Sequence, residues 1–214
     1  MRALSKADQF FTAEERKRLK SLTHEVESRT IGEIVVMVVD RSDRYIEAEV
    51  FGGVILGSLL SLIVTLLFFH SSIWSYVPLS FLFFFPCRFL FQRIDALKKL
   101  FIGNRRREET VRLRAERAFF EKGLYKTKKN TGVLFFLSLL ERKVWVLADK
   151  GIYEKMDRGI LNRFANEVSR GIREGRACDA LSRVVQEIGS LLSQHFPITS
   201  DDTDELPDDV MMEE

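Results

Sequence analysis

The sequence has few cysteines, histidines and prolines, at 2, 3 and 4 among 214 residues. Cys87 and Cys178 match neither a disulfide framework nor the spacing of zinc ligands, which fits a reducing compartment. The sequence also has no P-loop, nucleophile elbow or paired-histidine metal motif, and these carry the chemistry of many hydrolases. No catalytic motif therefore identifies a reaction.

Charge is missing from one long stretch, residues 50–69, which reads VFGGVILGSLLSLIVTLLFF. A helix of about twenty residues, rising about 1.5 Å per residue, spans the roughly 30 Å hydrocarbon core of a bilayer. A second apolar run, residues 73–91, follows after a short link, although Pro78 and Pro86 interrupt it. Soluble helices of this length normally carry a polar face, so the two runs predict a transmembrane helical hairpin over residues 50–92. Small residues that allow close helix packing occur in the first run at Gly52, Gly53 and Gly57.

The flanks of this hairpin predict its orientation. No signal peptide precedes the first run, so we expect the chain to keep both helices. The short link places the two outer ends on the same side of the bilayer, where basic residues are concentrated at Arg41, Arg44, Arg93, Lys98, Lys99 and 105–107. By the positive-inside rule, we predict an inner-membrane protein with two spans, and with both termini and the folded domain in the cytoplasm. The spans carry no acidic residue, which argues against a channel.

Charge is segregated along the chain despite a net charge of only +2. Residues 88–130 are strongly basic and adjoin the predicted bilayer, where cations are attracted to anionic lipid. This block contains no recognisable nucleic-acid-binding motif, so we expect a lipid partner and no nucleic acid. Residues 201–214 are acidic and poor in apolar side chains, which predicts a disordered acidic tail.

Two segments predict buried strands: residues 33–39, which are apolar after Glu33, and residues 132–139, which are all apolar or small. The membrane hairpin follows the first strand so closely that its partner must lie beyond the hairpin. We therefore predict that the two strands pair in parallel, with a helix over residues 105–122 as the crossover. A third strand, residues 144–148, follows after a link too short for a crossover, so it must be antiparallel. Asp149 then lies at the opposite end of the sheet from Asp40.

Helical periodicity marks the remaining segments. Residues 8–29 repeat apolar positions at helical spacing, and Thr12 with Glu15 forms a capping-box pattern. Two amphipathic helices follow Asp157. The sequence therefore predicts an α/β fold, a three-layer sandwich whose small mixed sheet is covered by helices and interrupted by the transmembrane hairpin. Residues 1–49 and 105–200 would form one discontinuous domain.

Three blocks of the sequence resemble the TPM domain family. They read RTIGEIVVMVVDRSDRY, RAERAFFEKGLYKTKKNTGVLFFLSLLERKVWVLADKGI and IREGRACDALSRVVQEIGSLLSQHFP. The order of the blocks around two apolar runs is similar to that of short bacterial members with a membrane hairpin inside the domain. The resemblance covers roughly residues 6–197 and implies an α/β sandwich with a small central sheet.

The same resemblance implies several activities. A plant thylakoid branch of the family is associated with acid phosphatase activity and photosystem repair. Some members bind calcium through acidic residues, and an animal branch modulates a membrane receptor. The hairpin inside the domain sets this sequence apart from the plant branch.

Polar side chains follow the predicted carboxyl ends of the first two strands. Asp40 and Asp43 follow the first strand, and Glu141 and Arg142 follow the second. Open α/β sheets bind ligands at such ends, where carboxylates suit a divalent cation such as calcium and Arg142 or Arg41 suits a phosphate. The candidate catalytic residues are Asp40, Glu141 and Arg142, and the candidate metal ligands are Asp40, Asp43 and Glu141. The ordinary alternative is that these residues form turns and helix caps.

Two functions follow from these observations. The first is an interaction or assembly module at the cytoplasmic face of the membrane, with another membrane protein as its partner. The alternative is a metal-assisted phosphatase, as in the plant branch of the resembled family.

Overall fold

The computed structural model describes residues 5–69, 73–127, 129–198 and 210–213. Eight α-helices and four strands lie within these ranges, and contacts group the chain into two compact units, Met1–Ser42 with Glu108–Glu214, and Asp43–Arg107. The helices are α1 Ala13–Glu27, α2 Ile46–Phe68, α3 Ile73–Arg93, α4 Asp95–Phe101, α5 Asn104–Glu121, α6 Lys150–Tyr153, α7 Arg158–Arg173 and α8 Ala177–His195. The strands are β1 Glu33–Val39, β2 Gly132–Ser138, β3 Lys143–Ala148 and β4 Met211–Glu213.

The four strands form one mixed sheet in the order β3-β2-β1-β4. β1 and β2 are parallel, with Glu33 opposite Gly132, whereas β2 and β3 are antiparallel, with Val133 opposite Ala148. These pairings confirm the directions predicted from the link lengths. Asp149 lies where its amide donates to the carbonyl of Gly132, at the opposite end of the sheet from the residues that follow β1.

The strand β4 corrects the prediction that residues 201–214 are disordered, for the part of that segment that the structure describes. Met211–Glu213 pairs in parallel with β1, and Met37 lies opposite Met211. The pairing succeeds because β1 offers an open backbone edge and the two methionines supply apolar side chains to the two faces of the sheet. Composition over the whole segment hides this short apolar pattern.

Both faces of the sheet are covered by helices, which confirms the predicted α/β sandwich. On one face, residues of β1 and β2 that include Val36 and Phe135 pack against α1, α7 and α8. On the other face, Val35, Met37 and Phe136 pack against α5. The burial of every residue of β1 and β2 explains why their sequences are apolar without alternation.

The first helix begins later than its periodicity suggests. Helix α1 starts at Ala13, and Thr12 caps it in the predicted capping box, since the Glu15 amide donates to Thr12 Oγ1 at 3.2 Å and the Thr12 amide donates to Glu15 Oε2 at 2.8 Å. The residues before it form turns, with a hydrogen bond from the Phe10 amide to the Ala7 carbonyl. The predicted start at residue 8 is therefore wrong.

The unit Asp43–Arg107 contains α2, α3 and α4. Helices α2 and α3 are each long and apolar enough to cross a membrane, with mean hydropathy of 2.4 and 1.4 over their most apolar windows. Helix α3 is continuous through Pro78 and Pro86. The glycines of α2 let the two helices pack closely, since a Cβ at Gly57 would lie 3.0 Å from the backbone nitrogen of Phe84. Ser61 Oγ also donates to the Tyr76 carbonyl at 2.9 Å.

A buried ion pair fixes α4 to α2 within this unit. Lys98 Nζ donates to Glu49 Oε1 at 2.7 Å, and the two side chains are 1% and 8% exposed. The charge of Lys98 is thus neutralised inside the protein. Lys98, which the sequence analysis counts among the basic residues of the flank, is therefore buried and does not contribute to a basic surface.

Candidate functional site

The carboxyl ends of β1 and β2 bring Asp40, Glu141 and Arg142 to one edge of the sheet. The Leu140 amide donates to the Asp40 carbonyl at 2.9 Å, and the Leu139 amide donates to the Val39 carbonyl at 3.1 Å. The residues that follow the two strands are therefore joined by backbone hydrogen bonds. This juxtaposition is the one that parallel pairing predicts.

Asp40 holds the segment that precedes α1. Its Oδ1 accepts a hydrogen bond from the Ala7 amide at 2.5 Å, and its Oδ2 accepts one from the Lys6 amide at 3.3 Å. Both carboxylate oxygens are thus engaged by backbone donors. Asp40 acts as the anchor of a turn in this arrangement.

Glu141 holds the loop that leaves β1 against the turn between β2 and β3. Its side chain is buried, with 2% of the residue exposed. Oε1 accepts from the Ser42 amide at 3.0 Å, and Oε2 accepts from the Ser138 hydroxyl. Ser42 Oγ in turn donates to Ser138 Oγ at 2.9 Å. A buried carboxylate with these donors ties the loop after β1 to the end of β2 and the turn that follows it.

Asp43 belongs to the other compact unit. Its Oδ2 lies 3.6 Å from Arg106 Nη2, and its Oδ1 accepts from the Arg44 amide at 2.6 Å. Across the residues that the structure describes, no three His, Cys, Asp or Glu side chains form a group that could hold a metal ion. The metal site at Asp40, Asp43 and Glu141 remains a prediction.

Arg142 lies beside a groove at the same edge of the sheet. Its backbone is left-handed, with φ of 52°, and its side chain is exposed. The groove has a volume of about 730 Å³, and its lining includes Lys6, Phe10, Ser138, Arg142, Ile172 and Arg173. Three cations from three separate segments therefore line one open groove, and such a set of donors suits an anion.

Sequence patterns could identify Arg142 in this groove but not the other two cations. Lys6 precedes α1, and Arg173 ends α7, so both are remote in sequence from the strand ends. Neither stands in a motif. Only the packing of α7 and of the segment before α1 against the sheet brings them to this edge.

A second group of polar residues lies at the outer edge of β1, where β4 pairs. Glu213 of β4 accepts from Arg114 and, at 2.8 Å, from Lys122 Nζ; both cations belong to the α5 region. The Asp40 amide donates to the Glu213 carbonyl at 3.1 Å. Sequence reasoning missed this contact because it joins residues about a hundred positions apart.

Cys178 is not positioned to act as a nucleophile. Burial raises the pKa of its thiol above its usual value. A thiol with a raised pKa carries little thiolate near neutral pH. Its place in the core on α8 gives it a packing role.

Comparison with known proteins identifies similar sequences and folds. The model of the TPM domain family matches residues 100–191. A solved structure with a similar fold is the NMR structure of BA42 protein from the psychrophilic bacterium Bizionia argentinensis, at 20% identity and a TM-score of 0.59, with 95% of each chain covered. No curated protein matches the sequence. Identity this low carries the fold and not an activity.

Proposed function

Because the TPM domain model matches residues 100–191, we propose that this chain is a membrane-anchored TPM module that acts by binding another protein of the same membrane. Its folded unit, Met1–Ser42 with Glu108–Glu214, lies on the cytoplasmic side. Helices α2 and α3 cross the bilayer as a hairpin.

The observation that carries this proposal is the exposure of apolar side chains along both long helices. Leu67, Trp74 and Phe81 are 72%, 88% and 69% exposed. Only 28% of the most apolar window of α2 and 6% of that of α3 are buried. The core helix of a soluble protein would instead be mostly buried. Contiguous apolar surface of this kind marks contact with lipid or with another protein.

The hydrogen bonds of the predicted catalytic carboxylates, Asp40 and Glu141, support the binding role. Both oxygens of Asp40 accept from backbone amides, and both oxygens of Glu141 accept from Ser42 and Ser138. These contacts stabilise the fold. The two carboxylates are therefore engaged in holding the fold, which favours a binding role over a catalytic one.

The orientation of the hairpin is tested by labelling single cysteines in right-side-out membrane vesicles. The chain, with Cys87 and Cys178 replaced by alanine, carries either Lys17→Cys on α1 or Trp74→Cys at the start of α3; both positions are exposed. We expect an impermeant maleimide to label the Trp74→Cys chain directly. The Lys17→Cys chain should be labelled only after permeabilisation. The reverse pattern would contradict the cytoplasmic placement.

Hydrolysis of phosphate esters is a second candidate function, favoured by the groove that Lys6, Arg142 and Arg173 line. Guanidinium groups bind phosphate oxygens in a bidentate geometry, and the groove lies at the edge of the sheet where α/β folds often place ligands. This candidate would need a divalent cation such as calcium to activate water, and Asp40 and Glu141, its candidate ligands, already accept hydrogen bonds from the chain.

A further inference from the structure

Strand β4 pairs with a short part of the outer edge of β1. Every second residue of β1 presents its backbone amide and carbonyl to this edge. At the start of the strand, the Ile34 amide cannot bind another strand, because it donates to Glu27 Oε1 at 2.7 Å. Farther along, Met37, Val38 and Val39 lie opposite Met211–Glu213. The part of the edge that accepts a strand therefore extends from about Val36 to Asp40.

Side-chain recognition accompanies this backbone pairing. Met211 packs on the face of the sheet that α5 covers, and Met212 packs on the opposite face. Beyond them, Arg114 and Lys122 bind the carboxylate of Glu213. An edge that offers backbone bonds, two apolar contacts and a pair of cations can select an extended segment by its pattern of apolar, apolar and acidic residues.

The segment that occupies the edge is held by few contacts. The pairing covers three residues, and Val210 to Met212 are only half-buried. A strand of three residues is near the lower limit of length for strands in globular proteins. The contact is therefore of the kind that a longer or better matched strand can displace.

We propose that the outer edge of β1, with Arg114 and Lys122, is a peptide-binding site, and that β4 occupies it until an extended acidic segment of a partner protein replaces β4. The inference rests on the binding role proposed above and names the surface and the chemistry of the partner. It does not depend on the placement in the membrane.

The binding of a peptide to the full-length chain in detergent micelles tests the proposal. The probe is a fluorescent peptide that copies residues 207–213, and its affinity is measured by anisotropy. A segment on the same chain acts at an effective concentration on the order of millimolar, so the native segment should mask the edge. Glu213→Lys places a third cation beside Arg114 and Lys122, and should release the segment. We expect the peptide to bind this variant at least about tenfold more tightly than it binds the wild-type chain.

Three controls separate recognition from general charge effects. Glu108→Lys makes the same charge reversal at an exposed position of α5 and should leave the affinity of the wild-type chain unchanged. Arg114→Gln, added to Glu213→Lys, should abolish the gain. A peptide with lysine in place of its final glutamate should not bind either chain.

Hydrogen exchange at the Asp40 amide shows whether the edge has been released, because this amide donates to Glu213. We expect slow exchange in the wild-type chain, fast exchange in the Glu213→Lys chain and renewed protection when peptide is added. A released edge that binds no peptide would overturn the proposal. So would an edge that stays protected in both Glu213→Lys and Met211→Lys, because β4 would then be a fixed strand.

Two further outcomes have a definite meaning. Equal affinity of the peptide for wild-type chain and Glu213→Lys overturns the competition between segment and partner. If the wild-type chain is oligomeric and becomes monomeric with Glu213→Lys, the edge binds a second copy of this chain. That result would overturn the proposal of a separate partner protein. These peptide-binding measurements can be interpreted whatever the result of the membrane-labelling test. The membrane placement and the peptide-binding site can therefore fail independently.

Discussion

Asp40 and Glu141 lie at the same edge of the sheet, and each carboxylate accepts hydrogen bonds from a neighbouring segment. Glu141 is the more deeply placed of the two, with 2% of its surface exposed. This carboxylate accepts from a backbone amide and a hydroxyl. Its removal costs more free energy than the net value of the two hydrogen bonds, because both buried donors are left unsatisfied.

We predict that Glu141→Ala lowers the free energy of unfolding by about 1–3 kcal/mol, since Ser42 and Ser138 lose their acceptor. Glu141→Gln should lower it less, because the amide oxygen still accepts from Ser42. Denaturant unfolding of the full-length chain in detergent measures both changes. Glu154→Gln, which alters an exposed carboxylate, is the matched control and should have little effect.

The same variants distinguish the two candidate functions. A phosphatase activity that needs a divalent cation and is lost in Glu141→Gln, with stability unchanged, would contradict the structural role of Glu141. Loss of that activity in Arg142→Gln would place the phosphate in the groove. If neither variant alters hydrolysis, Glu141 and Arg142 are not catalytic residues.

At the scale of elements, the glycines of α2 determine how closely α3 packs. A Cβ at Gly53 would lie 3.1 Å from Arg88 Cα, and one at Gly57 would lie 3.0 Å from the Phe84 nitrogen. These neighbours are backbone atoms, which cannot move aside as a flexible side chain can. The small residues seen in the sequence thus serve packing within this chain.

We expect Gly57→Leu to force α2 and α3 apart and to destabilise the hairpin by about 1–3 kcal/mol, as overpacking does in other well-packed interiors. The thermal midpoint of the detergent-solubilised chain measures the effect. Gly103→Leu is the control, because nothing lies within 4 Å of a Cβ at that position. Equal midpoints for the two variants would show that the close contact at Gly57 does not stabilise the hairpin.

Local sequence patterns correctly predicted the strands that have long apolar runs or short connecting links. The apolar runs located β1 and β2, and the short link before β3 determined its antiparallel direction. The start of α1 was missed because helical periodicity continues into a segment that Asp40 holds in turns. β4 was missed because three residues carry too little pattern, and because its partner lies far away in sequence.

The candidate site was predictable to the same extent. Parallel pairing brought Asp40 and Glu141 to one edge, as the sequence indicated. Which atoms their carboxylates bind depends on Ser42, Ser138 and the segment before α1, and no motif records those contacts. The sequence therefore predicted the place of the site better than the roles of its residues.

At the scale of the whole molecule, one sheet is built from strands on either side of an inserted unit. β1 precedes the unit Asp43–Arg107, and β2 follows it, yet the two strands pair along their full length. The sheet can be completed only after the chain of the inserted helices has been made. Under the anchoring proposed above, α2 and α3 would be made before the sheet is completed.

The most direct test of the proposed membrane anchor is alkaline carbonate extraction of membranes from cells that express the full-length chain. Peripheral proteins are released by this treatment, whereas proteins with apolar helices in the bilayer stay with the membrane. The exposed apolar surfaces of α2 and α3 predict that the chain remains in the membrane pellet and is released only by detergent. Recovery of the folded chain in the carbonate supernatant would contradict the anchor.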